Sequence, residues 1–138
     1  MTDKRVRIIN FADTMPTGDE FSPAPAMSVD GKFVMIRSPE ETALVMGGLR
    51  EFPYHAALVD RYCSLRQIPS GWVHRPDLYE IFDPDYLIRG GGLVLLDASA
   101  RKADFSGFST AYGRFAEAEL EEVVAGESLF RGWEVSIG

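Results

Sequence analysis

Cysteine is almost missing from this chain. Cys63 stands alone among 138 residues, so no internal disulfide can form, and a reducing cytoplasm is the expected compartment. Positive charge is also short. Fourteen Lys and Arg face 21 Asp and Glu, a net charge of −7. That argues against a nucleic-acid partner, which wants a basic surface, and more weakly against an anionic membrane. No apolar run approaches the roughly 20 residues of a membrane span, and "MTDKRVRIIN" at the start has charges but no apolar signal core. Internal repeats are absent. Histidine is scarce as well, with only His55 and His74, so any imidazole chemistry is confined to two places.

What remains is ordinary globular composition, 46% hydrophobic and 25% charged. The length fits one domain, taken as residues 1–138, with a real core. "RVRIINF" alternates and is β-branched, which reads as a strand. Residues 11–30 carry prolines at 16, 23 and 25 and read as an extended loop with a short edge strand around Ala26 to Val29. "GKFVMIRS" is a second strand. "SPEETALVMGG" carries a helix-start signal, with Ser38 as cap, Pro39 at the first position and Gly47–Gly48 at the end. "YHAALVDRYCSLRQI" is the clearest helix, because Leu58, Tyr62, Leu65 and Ile68 form one stripe. Pro69 to Asp85 reads as a loop with a helical turn at Asp77 to Phe82. "YLIRGGGLVLLD" and "ADFSGFSTAYG" make a hairpin, "RFAEAELEEVVAG" a helix and "RGWEVSIG" a closing strand. The order predicts an α/β or α+β fold, one mixed sheet flanked by helices.

His55 opens the long helix. Unpaired N–H groups and the positive end of the macrodipole disfavour a second positive charge there, so the imidazole should stay neutral and able to act as base or nucleophile. The same N–H groups favour a neighbouring anion. On its own, a histidine at a helix start more often packs or hydrogen-bonds there. In "GFSTAYGRF", Ser109 and Thr110 offer hydroxyls and Ala111, Tyr112 and Gly113 offer N–H groups, a candidate anion cradle, although an ordinary strand-to-helix turn has the same look. Lys32 begins a strand and offers a point charge for a phosphate. Gly90, Gly91 and Gly92 inside a strand mark a bulge or a close backbone approach, and their pattern is not a dinucleotide fingerprint. His74 and Cys63 make no convincing zinc set with His55, and Cys63 reads as a small buried residue.

Taken in order, these pieces resemble the Janus/Ocnus family, whose known activity is protein phosphohistidine phosphatase. The resemblance rests on "GKFVMIR", "YHAALVDRY", the three glycines, "FSTAYG" and "GWEVSI", which span Gly31 to Ile137. It implies a small monomeric domain in which the histidine faces a phosphate pocket, with no metal and no cofactor. His55 matches the family's catalytic histidine, Lys32 its pocket lysine, and Ser109 to Ala111 its phosphate-binding loop. Two family cations are replaced here, one by Leu93 directly after the glycines and one by Gly47 eight residues before His55.

The expected function is metal-independent phosphoryl transfer on phosphohistidine or a related phosphorylated protein or small molecule. Two alternatives stand beside it. One is a non-catalytic phosphate-binding module, favoured by the missing cations. The other is different chemistry on a less charged small molecule, favoured by an apolar pocket with Leu93 inside it.

Overall fold

A computed structural model describes residues 5–10, 29–97, 99–125 and 130–138, with backbone alone for 5–10 and for Val29. The strands are β1 (Arg5–Asn10), β2 (Val29–Arg37), β3 (Glu41–Gly48), β4 (Ser70–His74), β5 (Leu78–Ile81), β6 (Leu87–Asp97), β7 (Lys102–Ser106) and β8 (Glu134–Ile137). The helices are α1 (His55–Arg66) and α2 (Glu117–Ala125). Six strands form one sheet in the order β1-β3-β2-β6-β7-β8, and β4 and β5 form a separate two-stranded sheet. The large sheet is mixed: β1 runs parallel to β3 and β7 parallel to β8, while the central pairings are antiparallel. The fold is therefore α+β, as the element order predicted.

β3 and the middle of β2 are apolar because both faces of the sheet are covered there, whereas Leu93 and Leu95 of β6 stay exposed. Phe33, Met35, Leu44, Met46, Val94 and Phe105 point to one side, where they meet Phe115, Leu120, Val123 and Val124 from α2 and its lead-in. Val34, Ile36, Ala43 and Val45 point to the other, where α1 and the β4–β5 hairpin lay down Ala56, Leu58, Val59, Tyr62 and Tyr79. The stripe predicted for the long helix is thus its buried face, and Cys63 is part of it.

Four element assignments are corrected, the first being the loop expected from Pro69, in which Ser70–His74 forms strand β4. The helix expected after Ser38 is the strand β3. Ser38 does bind the amide of Glu41 through its hydroxyl, at 3.3 Å, and its own N–H donates to the Glu41 carbonyl at 2.8 Å. Those bonds close a hairpin turn between β2 and β3 instead of capping a helix. Serine and proline serve either purpose, and a short apolar run buried on both faces carries no period that separates strand from helix. The helical turn expected at Asp77 to Phe82 is strand β5, paired with β4 across the turn His74–Asp77. The strand expected over 103–113 ends at Ser106, and Gly107 leaves it at positive φ. Of the loop expected over 11–30, residues 11–28 lie outside the described residues, and Val29 and Asp30 belong to β2. Gly126, expected to end α2, also lies outside them. No helix among the described residues is long and apolar enough to cross a membrane.

Candidate functional site

The start of α1, the middle of β2 and the loop after β7 meet around a pocket of about 540 Å³. Lys32, Pro53, Tyr54, His55, Asp77, Leu78, Phe108, Ser109, Thr110 and Ala111 line it. Five of the seven residues singled out from the sequence are therefore together. Tyr112 and Gly113 are not on the wall.

His55 is the first residue of α1, and it is buried although its ring reaches the pocket. Its Nε2 lies 2.9 Å from the carbonyl oxygen of Gly92. A carbonyl only accepts, so Nε2 carries the proton and Nδ1 keeps the lone pair. Nδ1 has no protein partner among the described residues. Burial lowers the pKa of His55 from its ordinary 6.5, the bond to Gly92 acts in the opposite sense, and the charge of Lys32 lowers it further. The result is a neutral imidazole of fixed tautomer, whose basic nitrogen is left for a ligand. No acidic residue sits in the first turn of α1, and the N-cap Tyr54 makes no side-chain capping bond. The positive end of this helix is thus not neutralised by its own sequence.

The glycines of β6 hold the site together. The N–H of Gly91 donates to the carbonyl of Gly113 at 3.1 Å, which ties the 109–113 loop to the strand. A β-carbon on Gly91 would sit 3.0 Å from Cδ2 of His55 and well inside contact distance of the Phe33 carbonyl oxygen. Gly91 thus lets the ring lie against the backbone, and Gly92 supplies the carbonyl that orients it. The close approach read from three strand glycines is the one that seats His55.

The loop itself is a self-closed turn. Ser109 and Gly113 exchange N–H···O bonds at 3.1 and 2.8 Å, and the Tyr112 N–H donates to Ser109 Oγ at 3.1 Å. Those bonds consume the Tyr112 and Gly113 amides, which corrects their expected place in the cradle. Among the described residues, the N–H groups of Thr110 and Ala111 remain for a ligand, and the Ser109 hydroxyl keeps its proton to donate. The Tyr112 side chain turns away from the pocket. Its hydroxyl donates to the Tyr79 carbonyl at 2.6 Å and accepts from the Tyr79 N–H at 3.1 Å, fastening the loop to β5. Burial pushes its pKa up to about 12.

Lys32 lies on the α1 face of β2, and its cross-strand neighbours are Gly47 and Leu93. Gly47 and Leu93 therefore flank Lys32 directly, and neither adds a charge beside it. A side chain at Gly47 has no room, because a β-carbon there would run into the Phe52 ring. Leu93 is half exposed beside Lys32 but is not part of the pocket wall. Arg89 offers no replacement, since it pairs with Glu119 at 3.2 Å on the α2 face. Arg50 lies outside the lining. Among the described residues, Lys32 is the cation and Asp77 the anion that line the pocket.

Asp77 is the residue that sequence reading missed. It stands in the β4–β5 turn, where His74 Nδ1 lies 2.6 Å from its Oδ1, and that hydrogen bond holds its carboxyl below the usual range. Nothing in the local pattern marked it. The segment 69–85 does shape the pocket, through Asp77 and Leu78. Cys63 is buried and its thiol is pushed up to about 11 by that burial, which makes it a packing residue. Among the described residues no three His, Cys, Asp or Glu side chains gather where they would hold a metal.

The arrangement can hold an oxyanion between Lys32, the Ser109 hydroxyl and the two loop amides, facing the lone pair of His55. No known protein family matches the chain, and no curated protein does either.

Proposed function

We propose that the chain is a metal-independent phosphoryl-transfer enzyme that removes the phosphoryl group from phosphohistidine or a related phosphorylated protein or small molecule in the cytoplasm. The observation that carries this reading is the state of His55: neutral, fixed through Nε2–H to Gly92 O, and without a partner at Nδ1 among the described residues, on the wall of a pocket that also holds Lys32 and the 109–111 loop. The resemblance to the Janus/Ocnus family supports it on the same residues.

Nδ1 is the reacting atom. It takes a proton from a water that attacks phosphorus, or it attacks phosphorus itself and water then releases the phosphate. Either way the P–N bond of the substrate breaks, its electron pair leaves with the departing nitrogen, and that nitrogen takes a proton from solvent while the water that attacks phosphorus gives one up, through His55 in the first route. The imidazole becomes cationic in this step, and its Nε2–H···O bond to Gly92 strengthens as it does. Lys32, Ser109 Oγ and the amides of Thr110 and Ala111 hold the non-bridging oxygens.

The test is phosphate release from a phosphohistidine peptide, with chelator present, by the parent and by His55→Ala. The variant should lose about 10²- to 10⁴-fold in rate while its circular dichroism is unchanged. Equal turnover by the two proteins sinks the proposal.

A second reading, a phosphate-binding module without turnover, is favoured by Lys32 being the one pocket cation among the described residues, flanked by Gly47 and Leu93. Saturable binding of phosphate by the parent, lost in Lys32→Ala, together with no hydrolysis between about pH 6 and 9, where histidine and amines titrate, would select it.

A further inference from the structure

A carboxylate repels a phosphoryl dianion and adds nothing to holding it, yet Asp77 is on the wall of this pocket. The two mouth-forming elements also each bring an exposed aromatic ring. Tyr54 directly precedes His55, Phe108 directly precedes Ser109, and they are 45% and 63% exposed. Both line the pocket with Asp77 and Leu78. Rings and a carboxylate around one opening are what an organic cation requires, since it is attracted to the ring faces as well as to the charge. Asp77 is also held in place. Tyr112 fastens Tyr79, two residues along, by two hydrogen bonds, and His74 engages only Oδ1. Among the described residues Oδ2 takes no side-chain hydrogen bond and is open to a ligand. The pocket therefore carries charge of both signs, Lys32 and Asp77, together with the rings of Tyr54 and Phe108.

We infer that the pocket selects phosphorylated substrates that carry an ammonium or guanidinium group close to the phosphoryl group, and that Asp77 is the residue that recognises this cation. This rests on the phosphoryl-binding reading given above and names its substrate class. The shared chemistry is an anion and a cation about one residue apart. It can come from a peptide with a basic residue beside the phosphorylated one, or from a small phosphorylated amine whose own ammonium group is free. The missing family cations fit this: a substrate that brings its own positive charge needs fewer in the wall.

The experiment compares three phosphohistidine peptides that differ only in the flanking residue, lysine, alanine or glutamate. It adds free phosphohistidine against its N-acetyl form, which separates the small-molecule source from the peptide. The parent should prefer lysine over glutamate in kcat/KM on the order of tenfold at low salt, an estimate that takes the change from an attractive to a repulsive exposed pair. The preference should shrink as salt rises. Asp77→Asn should bring it below about threefold on the same scale, and Asp77→Glu should keep it. The inference is overturned if the parent shows no preference, or if the preference survives in Asp77→Asn. If no peptide is hydrolysed, the enzymatic reading fails by itself. Binding of the same three sequences with a non-hydrolysable phosphoryl-triazole in place of phosphohistidine then decides the subsite by the same lysine-to-glutamate comparison.

Discussion

Helix α1 carries two buried polar groups, one at each end, and they are treated oppositely. At its C-terminal half, the Tyr62 hydroxyl donates to Glu41 at 2.9 Å, and Arg66 reaches the same carboxylate at 2.9 Å. Glu41 stands at the start of β3, so this group stitches the helix to the sheet. At the N-terminal end, His55 has one partner among the described residues, a backbone carbonyl, and its other nitrogen has none there. Both groups are desolvated, and their pKa values are moved for that reason: Tyr62 strongly up, His55 down. A buried group with its partners in place is structural, and a buried group left with one open valence is a candidate for chemistry.

Five measurements would break or sharpen that contrast. The largest effect is expected from Glu41→Ala, which leaves Tyr62 and Arg66 facing an empty, partly buried site. It should cost about 3–5 kcal/mol in denaturant unfolding with little change in turnover per folded molecule. His55→Ala should do the reverse, staying within about 1 kcal/mol of the parent in stability. If Glu41→Ala folds normally, or His55→Ala does not fold, the contrast is wrong.

Gly91→Ala comes next. Its methyl group has to displace the Phe33 carbonyl and the His55 ring, so it should cost about 1–3 kcal/mol and reduce activity as well. A loss in stability alone would mean that the seat of His55 is not what fixes its reactivity. Tyr112→Phe should cost about 1–2 kcal/mol through the loss of two hydrogen bonds at Tyr79. Since that clamp holds the strand next to Asp77 and Leu78, KM should rise more than kcat falls.

The smallest effects are in pH dependence. The folded pKa of His55 lies below its ordinary 6.5. Between those two values the unfolded chain binds the extra proton, so stability is full above pH 6.5 and declines as pH falls through the folded value. Tyr62 works on the alkaline side. Its folded pKa lies above its ordinary 10.0, so the stability it contributes is present below that value and is lost as pH rises past it. His55→Ala should flatten part of the acid limb, and Tyr62→Phe part of the alkaline one. Unfolding midpoints across pH check both, and the acid limb of kcat/KM should also lie below 6.5 in the parent.

The parts of the fold that were legible are those with a strong local signature. The stripe of α1, the hairpin of β6 and β7 and the acidic outer face of α2 each repeat over enough residues to fix their type. Strand β3 was not legible, because "ETALVMGG" is buried on both sides and so shows no period. Nor was β5, four residues long and dependent on β4 for its pairing. Lys32, His55, Ser109, Thr110 and Ala111 were found in the sequence because each combines a reactive or hydrogen-bonding group with a characteristic local position. Asp77 was not found, because an aspartate in a turn is commonplace until a fold brings it to a pocket.

The sequence by itself determined the α+β class, the apolar faces, the glycines that permit close approach and the placement of one histidine at a helix start, since those follow from local periodicity and steric rules. Tertiary structure alone decided which nitrogen of His55 is free, that Gly47 and Leu93 flank Lys32, that Tyr112 is a clamp, and that Asp77 faces the site. Each of those depends on contacts between residues tens of positions apart, and such contacts exist only once the sheet has set its register.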